Sequence, residues 1–178
     1  DIDEEMFTKI VENRSVRDKD ARDTAKIVGL AAIKYGDLSN QATKDYIFDV
    51  DRFTSFEGNT GPYILYTIVR IKSILNRYVE AGGNLEAGEI LPASNGSEKN
   101  LMLQLSGFGS MIESAFEEKA PHKICAYIYE VSNAFNSFYH ETKILSEENQ
   151  AQKESYIRLL QLTKRVLETS IDLLGFEA

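Results

Sequence analysis

Apolar residues recur with helical period along most of the chain, and the clearest case follows residue 60. Thr60 is a suitable N-cap, and Pro62 suits a first helical turn because its missing N–H costs nothing there. At about 100° per residue, the next apolar positions fall on one face: Ile64, Ile68, Ile71 and Leu75. The spacing predicts one long amphipathic helix that extends to about Tyr78.

The first 35 residues carry two shorter stripes. Residues 1–17 alternate charged and apolar positions, and the apolar ones that share a helical face are Met6, Phe7, Ile10 and Val11. Residues 18–35 form a second pattern, whose buried side we expect to comprise Ala25, Val28, Gly29, Ala32 and Ile33. The pattern predicts two helices, separated from the rest by Gly36 and a polar loop.

The second half of the chain predicts three more helices. The first spans residues 101–119, with a stripe of Leu103, Leu105, Phe108, Ile112 and Phe116, although Gly107 and Gly109 weaken its middle. The next begins at Pro121 and presents a strong apolar face: Ile124, Tyr127, Ile128, Val131, Phe135 and Phe138. The last runs to about Leu174, where Gly175 occupies the position of a C′ glycine.

Two segments depart from the helical pattern. Residues 46–50, Tyr-Ile-Phe-Asp-Val, are rich in strand-forming residues and predict a short strand. Residues 81–100 contain few large apolar side chains and many loop formers, so we expect a flexible surface insertion. The fold class predicted is therefore mainly all-α, a helical bundle preceded by a short helical and strand-containing tail.

Composition and charge narrow the function classes. The chain has 178 residues, of which 43% are hydrophobic and 27% charged, enough for one good core. No apolar run approaches the roughly 20 residues that span a bilayer, so we expect no membrane partner. One cysteine, Cys125, fits a reducing compartment and a cytoplasmic protein. The net charge of −8 argues against a general nucleic-acid coat, DNA included, and by itself favours a protein-interaction domain.

Residues for catalysis or metal binding are scarce. Two histidines and one cysteine cannot build a zinc site of the usual spacing, and neither a G-x-G-x-x-G fingerprint nor a Walker loop occurs. We therefore predict no catalytic residues, no metal site and no cofactor within this chain.

One surface of the long helix has the chemistry to bind nucleic acid. Tyr63, Tyr66, Arg70 and Arg77 gather well away from the apolar face. Phenol rings stack on bases, and guanidinium groups hold phosphates. The competing interpretation is that these tyrosines pack sideways against a neighbouring helix and extend their hydroxyls to solvent.

Four segments carry a resemblance to a known family. The run NTGPYILYTIVRIKSIL (59–75) resembles the helix that opens the anticodon-binding domain of arginyl-tRNA synthetases. The preceding VGLAAIKYGDLSNQATKDYIFDVDRF (28–53) resembles the segment before that helix. The runs APHKICAYIYEVSNAFNSFYHETKIL (120–145) and YIRLLQLTKRVLETSIDLLGFEA (156–178) are similar to its last two long helices.

The resemblance implies a domain plan and a function. Residues 1–55 would be the C-terminal tail of a catalytic module, and residues 56–178 the anticodon-binding domain of DALR type, with 81–100 as an insertion. The parent protein would be a class I synthetase that joins arginine to its tRNA using ATP and Mg²⁺. The His-x-Gly-His and Lys-Met-Ser-Lys-Ser signatures are absent, so we expect the catalytic site to lie outside this C-terminal part of a longer protein.

The resemblance also assigns roles to residues. Tyr63, Tyr66, Arg70 and Tyr139 would contact the anticodon stem-loop of tRNA(Arg), the partner we expect for a monomeric protein. His140 and Arg158 are better explained as a solvated residue and a structural residue, respectively. Two alternatives remain: a helical protein-interaction domain, and a synthetase paralogue that no longer charges tRNA.

Overall fold

The computed structural model describes residues 2–12 and 18–178, and within these ranges the chain is helical and contains no strand. The all-α prediction is confirmed. Residues 1 and 13–17 of the first expected helix lie outside the described ranges. The helices are α1 (Ile2–Glu12), α2 (Asp18–Leu38), α3 (Val50–Phe53), α4 (Gly61–Glu80), α5 (Gly96–Ser106), α6 (Phe108–Glu117), α7 (Pro121–Glu141) and α8 (Gln150–Leu173).

Helix α4 is the centre of the packing. It contacts α2 on one side, α8 on another and α7 on a third, while α1 covers α2 and the pair α5 and α6 packs on α7. The buried side chains form one cluster that extends from Met6 in α1 to Phe176 after α8. The four isoleucine and leucine positions predicted to face inward from α4 are all buried.

The start of α4 has the predicted capping. The Thr60 hydroxyl accepts a hydrogen bond from the Tyr63 N–H at 3.2 Å, and Pro62 lies in the first turn. Gly61 is required because a Cβ there would lie 2.3 Å from the carbonyl oxygen of Ala31 in α2. The position of the glycine therefore sets how closely α4 approaches α2.

The end of α8 also follows the sequence prediction. Gly175 has a φ of +81°, and its N–H donates to the Asp172 carbonyl at 2.9 Å. The Phe176 N–H donates to the Ile171 carbonyl at 3.1 Å, which completes a Schellman motif. This turn directs Phe176 back into the core, where it is 5% exposed.

The strand predicted at residues 46–50 is wrong. Residues 45–49 have no regular secondary structure, and Val50 opens the short helix α3, capped by Asp49. A strand requires a neighbouring strand to satisfy its backbone groups, and no strand occurs in the described part of the chain. The aromatic residues pack locally instead, with Tyr46 and Phe48 both contacting the ring of Phe53.

The single helix predicted over residues 101–119 is two helices. Helix α5 begins earlier, where the Asn95 side chain accepts from the Glu98 N–H at 2.8 Å, and it ends at Gly107. This break changes the angular phase, so the predicted stripe does not continue. Leu103 is 60% exposed and Phe116 is 82% exposed, whereas the buried apolar positions are Leu101, Leu105 and Ala115.

One predicted core residue of α2 is also exposed. Ile33 is 39% exposed, although Ala25, Val28, Gly29 and Ala32 are buried as expected. Together with Ile27 and Leu30 it forms an outer apolar stripe, which we call the α2 stripe. At 100° per residue these three positions lie within about 120° of each other. They are on the side of α2 opposite the contacts with α1 and α4.

Residues 81–95 connect α4 to α5 through specific contacts. The Leu91 N–H donates to the Ser155 hydroxyl at 2.9 Å, and Arg158 donates to the Leu85 carbonyl at 3.2 Å. The Ser94 hydroxyl and N–H both donate to the buried Glu98 carboxylate. The segment is thus attached to α8 and α5, and its flexibility stays a prediction.

Candidate nucleic-acid interface

The packing of α4 against α7 brings together residues more than sixty positions apart in the sequence. We call the resulting group the α4–α7 cluster: Tyr63, Tyr66, Arg70, Asn136 and Tyr139. Three contacts within the cluster cross between the two helices: the hydrogen bonds from Arg70 to Asn136 and from Asn136 to Tyr63, and the contact of Arg70 with the Tyr139 ring. The cluster unites all four site residues predicted from the sequence.

Arg70 is the only cation of this cluster. Its guanidinium carbon lies 4.8 Å from the ring centroid of Tyr66 and 4.9 Å from that of Tyr139. These distances are those of cation–π contacts. One nitrogen also donates to the Tyr66 hydroxyl at 2.9 Å, so the charge is held between two aromatic side chains while Tyr66 remains 47% exposed.

Tyr63 turns toward α7 and is only partly accessible. Its hydroxyl donates to the Asn133 side-chain oxygen at 2.8 Å, and its ring meets Tyr129 edge-on at 5.9 Å. Burial raises the pKa of the Tyr63 phenol, although the hydrogen bond from Asn136 opposes this shift. Tyr63 therefore fits the sideways-packing interpretation for most of its ring, whereas Tyr66 offers an exposed face.

Asn136 connects the tyrosines and the arginine. Its side-chain oxygen accepts from Arg70 at 2.5 Å, and its amide nitrogen donates to the Tyr63 hydroxyl at 3.0 Å. The same nitrogen lies 3.2 Å from the Thr67 hydroxyl. Asn136 was not among the residues predicted from the sequence, where its spacing of three from Asn133 was the available signal.

Tyr139 closes the far side of the cluster. Its ring stacks on the buried Phe135 at 6.2 Å with an interplanar angle of 28°, and its neighbour His140 meets it edge-on at 5.5 Å. Phe135 is fully buried, so it supports Tyr139 from the core. The Tyr139 side chain itself is half-buried, so part of its ring stays accessible beside Arg70.

An open groove of about 730 Å³ adjoins the cluster. Tyr66, Arg70, Asn136 and the exposed His140 line it from α4 and α7, and Thr24 and Glu57 add two further polar side chains. The apolar lining includes Ile10, Val28, Phe56, Pro62, Leu65 and Val69. Such a groove has space for planar groups and carries both apolar and hydrogen-bonding side chains.

Three other basic residues lie outside the cluster. Arg77 is exposed two turns beyond Arg70 and does not line the groove. Lys72 pairs with Glu168 at 3.2 Å and donates to the Ala178 carbonyl. Arg158 donates to the Leu85 carbonyl and lies 3.8 Å from Glu86, which agrees with a structural role.

Residues 2–12 and 18–178 contain neither a candidate metal site nor a candidate membrane span. No group of three or more histidine, cysteine, aspartate or glutamate side chains is arranged to hold a metal ion there. No helix in that part of the chain combines the length and apolar character needed to cross a membrane.

Comparison with known proteins identifies the helical bundle. Residues 64–178 match the family model described as the DALR anticodon binding domain. The chain belongs to this family. The matched range contains α4 from Ile64 onward and all of α5 to α8, and hence Tyr66, Arg70, Asn136 and Tyr139 but not Tyr63.

Curated relatives of this DALR domain extend the match to residues before 64. The chain is 64% identical over 186 residues to an arginine–tRNA ligase of Agathobacter rectalis, covering 100% of this chain and 31% of that protein. It is 51% identical over 177 residues to an arginine–tRNA ligase of Alkaliphilus oremlandii, covering 99% and 30%. The resemblance to arginyl-tRNA synthetases is thereby confirmed.

Solved structures show the same fold. The arginyl-tRNA synthetase of Thermus thermophilus matches with a TM-score of 0.86 at 28% identity, over 99% of this chain and 31% of that one. The arginyl-tRNA synthetase of Plasmodium falciparum matches with a TM-score of 0.85 at 26% identity, over 98% and 31%. The chain spans about three tenths of the length of these relatives.

Proposed function

We propose that this chain recognises the anticodon loop of an arginine tRNA, as part of a protein that joins arginine to that tRNA. The supporting observation is the α4–α7 cluster, an exposed tyrosine beside a fixed guanidinium within the DALR match. In a single-stranded loop the bases are already available for stacking, so aromatic and arginine side chains suit them. ATP and Mg²⁺ would serve the parent protein at a site outside this chain.

The mode of binding follows from the geometry of the cluster. The exposed face of Tyr66 would stack on one base, and Tyr139 would contact a second from the other side of Arg70. Arg70 would hold a phosphate or a base edge. Each stacked base contributes roughly 1–3 kcal/mol, so loss of one contact would weaken binding by about one or two factors of ten.

The acidic net charge restricts this binding to a local surface. The chain carries −8 overall, and Lys72, which is close to Arg70 in sequence, pairs with Glu168. We therefore expect two or three phosphate contacts, made by Arg70 and by Arg77, which is exposed two turns further along α4. At about −0.7 per phosphate for a single strand, the slope of log affinity against log salt should be near −2.

The test is a titration of labelled anticodon stem-loops at several salt concentrations. A loop of scrambled sequence serves as the control. Preferential binding of the native loop with a slope near −2 is expected. Equal binding of the scrambled loop would overturn anticodon reading, and a slope steeper than about −5 would indicate a broad basic surface instead.

For residues 1–55 we propose the role of a tail of the parent's catalytic module. The support is the α2 stripe together with residues 46–48, where Ile47 is 87% exposed and Phe48 is 48% exposed. A helix that is apolar on two opposite sides is typical of one buried between two layers. Hydrogen exchange of the parent protein should show slower exchange in α2 than the isolated chain shows.

The rival proposals make different predictions. A helical protein-interaction domain would bind native and scrambled loops equally, or neither. A non-charging paralogue would bind the loop, but its parent would not attach arginine to tRNA in the presence of ATP and Mg²⁺. We propose further that the protein is cytoplasmic and monomeric. Light scattering of the purified parent protein tests the oligomeric state.

A further inference from the structure

Arg70 is held more firmly than an exposed arginine ordinarily is. Its guanidinium contacts two aromatic rings and donates to the Tyr66 hydroxyl, and the remaining cross-helix contact is with Asn136. The arginine side chain loses considerable rotational freedom when it is fixed. A group that fixes it before the ligand arrives reduces the entropy lost on binding.

Asn136 bonds to Arg70 and to the hydroxyls of Tyr63 and Thr67, but these three groups depend on it to different degrees. The Tyr63 hydroxyl has a second partner in Asn133, and the Thr67 hydroxyl donates to the Tyr63 carbonyl at 3.1 Å. Both hydroxyls would therefore keep a partner without the Asn136 amide. Arg70 would lose its 2.5 Å acceptor on α7.

The other contacts of Arg70 differ in kind from the hydrogen bond to Asn136. Tyr139 presents its ring to the guanidinium, and Tyr66 lies on the same helix as Arg70. Asn136 is thus the hydrogen-bonding link by which α7 orients a side chain of α4. The same amide lines the groove, so direct contact with a ligand is the competing explanation.

We propose that Asn136 is a positioning residue, which holds the Arg70 guanidinium between Tyr66 and Tyr139 and so prepares the cation for an RNA phosphate or base edge. The consequence for RNA binding rests on the proposed function. The orientation of Arg70 is independent of the proposed function, because it is a property of the protein without RNA.

A double-mutant cycle distinguishes positioning from direct contact. Asn136→Ala and Arg70→Ala are each expected to weaken stem-loop binding about three- to tenfold and to flatten the salt slope by less than one unit. The double variant should bind like Arg70→Ala alone. Losses that multiply would overturn the proposal, since they would mean that Asn136 contacts RNA independently.

The matched control is Asn133→Ala. This residue has the same side chain, lies one turn earlier on α7 and bonds to Tyr63 rather than to Arg70. Its substitution should leave the salt slope unchanged.

A second variant at the same position is Asn136→Leu, which keeps a similar volume without the amide and should reproduce the salt slope of Asn136→Ala. Circular dichroism and thermal melting monitor the folding of every variant.

NMR of the free protein tests the orientation of the Arg70 guanidinium without RNA. In the free protein, NMR of the Arg70 guanidinium should show slow rotation and protected side-chain N–H groups. Asn136→Ala and Asn136→Leu should each abolish this protection, whereas Asn133→Ala should retain it. Unchanged protection in the Asn136 variants would overturn the proposal. If native and scrambled loops bind equally while the NMR result holds, the anticodon function fails and the positioning of Arg70 stands. If the native loop is preferred but Arg70→Ala binds it normally, the role of the positioned cation in RNA binding is overturned.

Discussion

The α4–α7 cluster and the α2 stripe both expose large side chains, but they differ in how those side chains are held. Tyr66 is 47% exposed and its hydroxyl accepts from Arg70, which is fixed in turn by Asn136. In the stripe, Leu30 is 45% exposed and Ile27 is 39% exposed, and aliphatic groups have no directional contacts. Polar fixation suits recognition of a specific ligand, whereas an unspecific apolar surface suits packing against another layer.

The helices that carry the two regions, α4 and α2, approach closely at Gly61 and Ala31, and disrupting this approach should have the largest effect. In Gly61→Ala the new Cβ would meet the Ala31 carbonyl oxygen at 2.3 Å. We expect the free energy of unfolding to fall by about 3 kcal/mol, at the upper end for overpacking because backbone atoms must move. Urea denaturation measures this change.

The control for that measurement is Gly96→Ala. Gly96 is also the first residue of its helix, but a Cβ there has no atom within 4 Å. The change should be within about 0.5 kcal/mol. Equal losses at Gly61 and Gly96 would show that α2 and α4 are not closely packed at this point.

Removing the exposed ring of the cluster should affect binding and not folding. Tyr66→Ala is expected to weaken stem-loop binding by about 10- to 100-fold, because it removes one stacking surface. In the parent protein, the efficiency of aminoacylation should fall accordingly. Val79→Ala, an equally exposed change at the other end of α4, should alter neither quantity.

The melting temperature decides how a loss at Tyr66 is explained. If Tyr66→Ala lowers it enough to account for the reduced activity, the ring is a packing residue and the contrast with the α2 stripe disappears. Unchanged aminoacylation would lead to the same conclusion.

Polar substitution at Ile47, which lies outside the α2 stripe but in the same proposed tail, should be nearly neutral in the isolated chain. Ile47→Thr changes a side chain that is 87% exposed, so the free energy of unfolding should shift by less than about 0.5 kcal/mol. In the parent protein we expect a lower melting temperature if a second layer covers this residue. The same small shift in both proteins would contradict the proposed tail of the catalytic module.

The smallest effect expected is a change in stability at alkaline pH, which comes from Tyr63 in the α4–α7 cluster. The pKa of Tyr63 is raised in the folded state, so the folded protein binds its phenol proton more tightly than the unfolded chain does. This contribution to stability is complete below the ordinary pKa near 10 and is lost as pH rises through the folded value. Tyr63→Phe should remove part of the decline in stability above about pH 10, measured by urea denaturation at several pH values.

Periodicity and capping could be interpreted from the sequence because both depend on neighbours within a few residues. Thr60 and Pro62 mark the start of α4, and Gly175 marks the end of α8, as local backbone chemistry requires. Contacts between residues distant in the chain could not be predicted from the sequence in the same way. The strand expected near Phe48 needed a pairing partner, and the break at Gly107 depends on how α5 and α6 pack on α7.

By itself, the sequence determined the helical class, the inward face of α4 and the family, since these depend on residue order and spacing along single segments. The tertiary structure decided that Tyr63 turns toward Asn133 while Tyr66 stays exposed, and that Asn136 meets Arg70. Helical spacing gives the angle of each side chain around its own axis. It does not specify which helix lies opposite, and that packing creates the cluster.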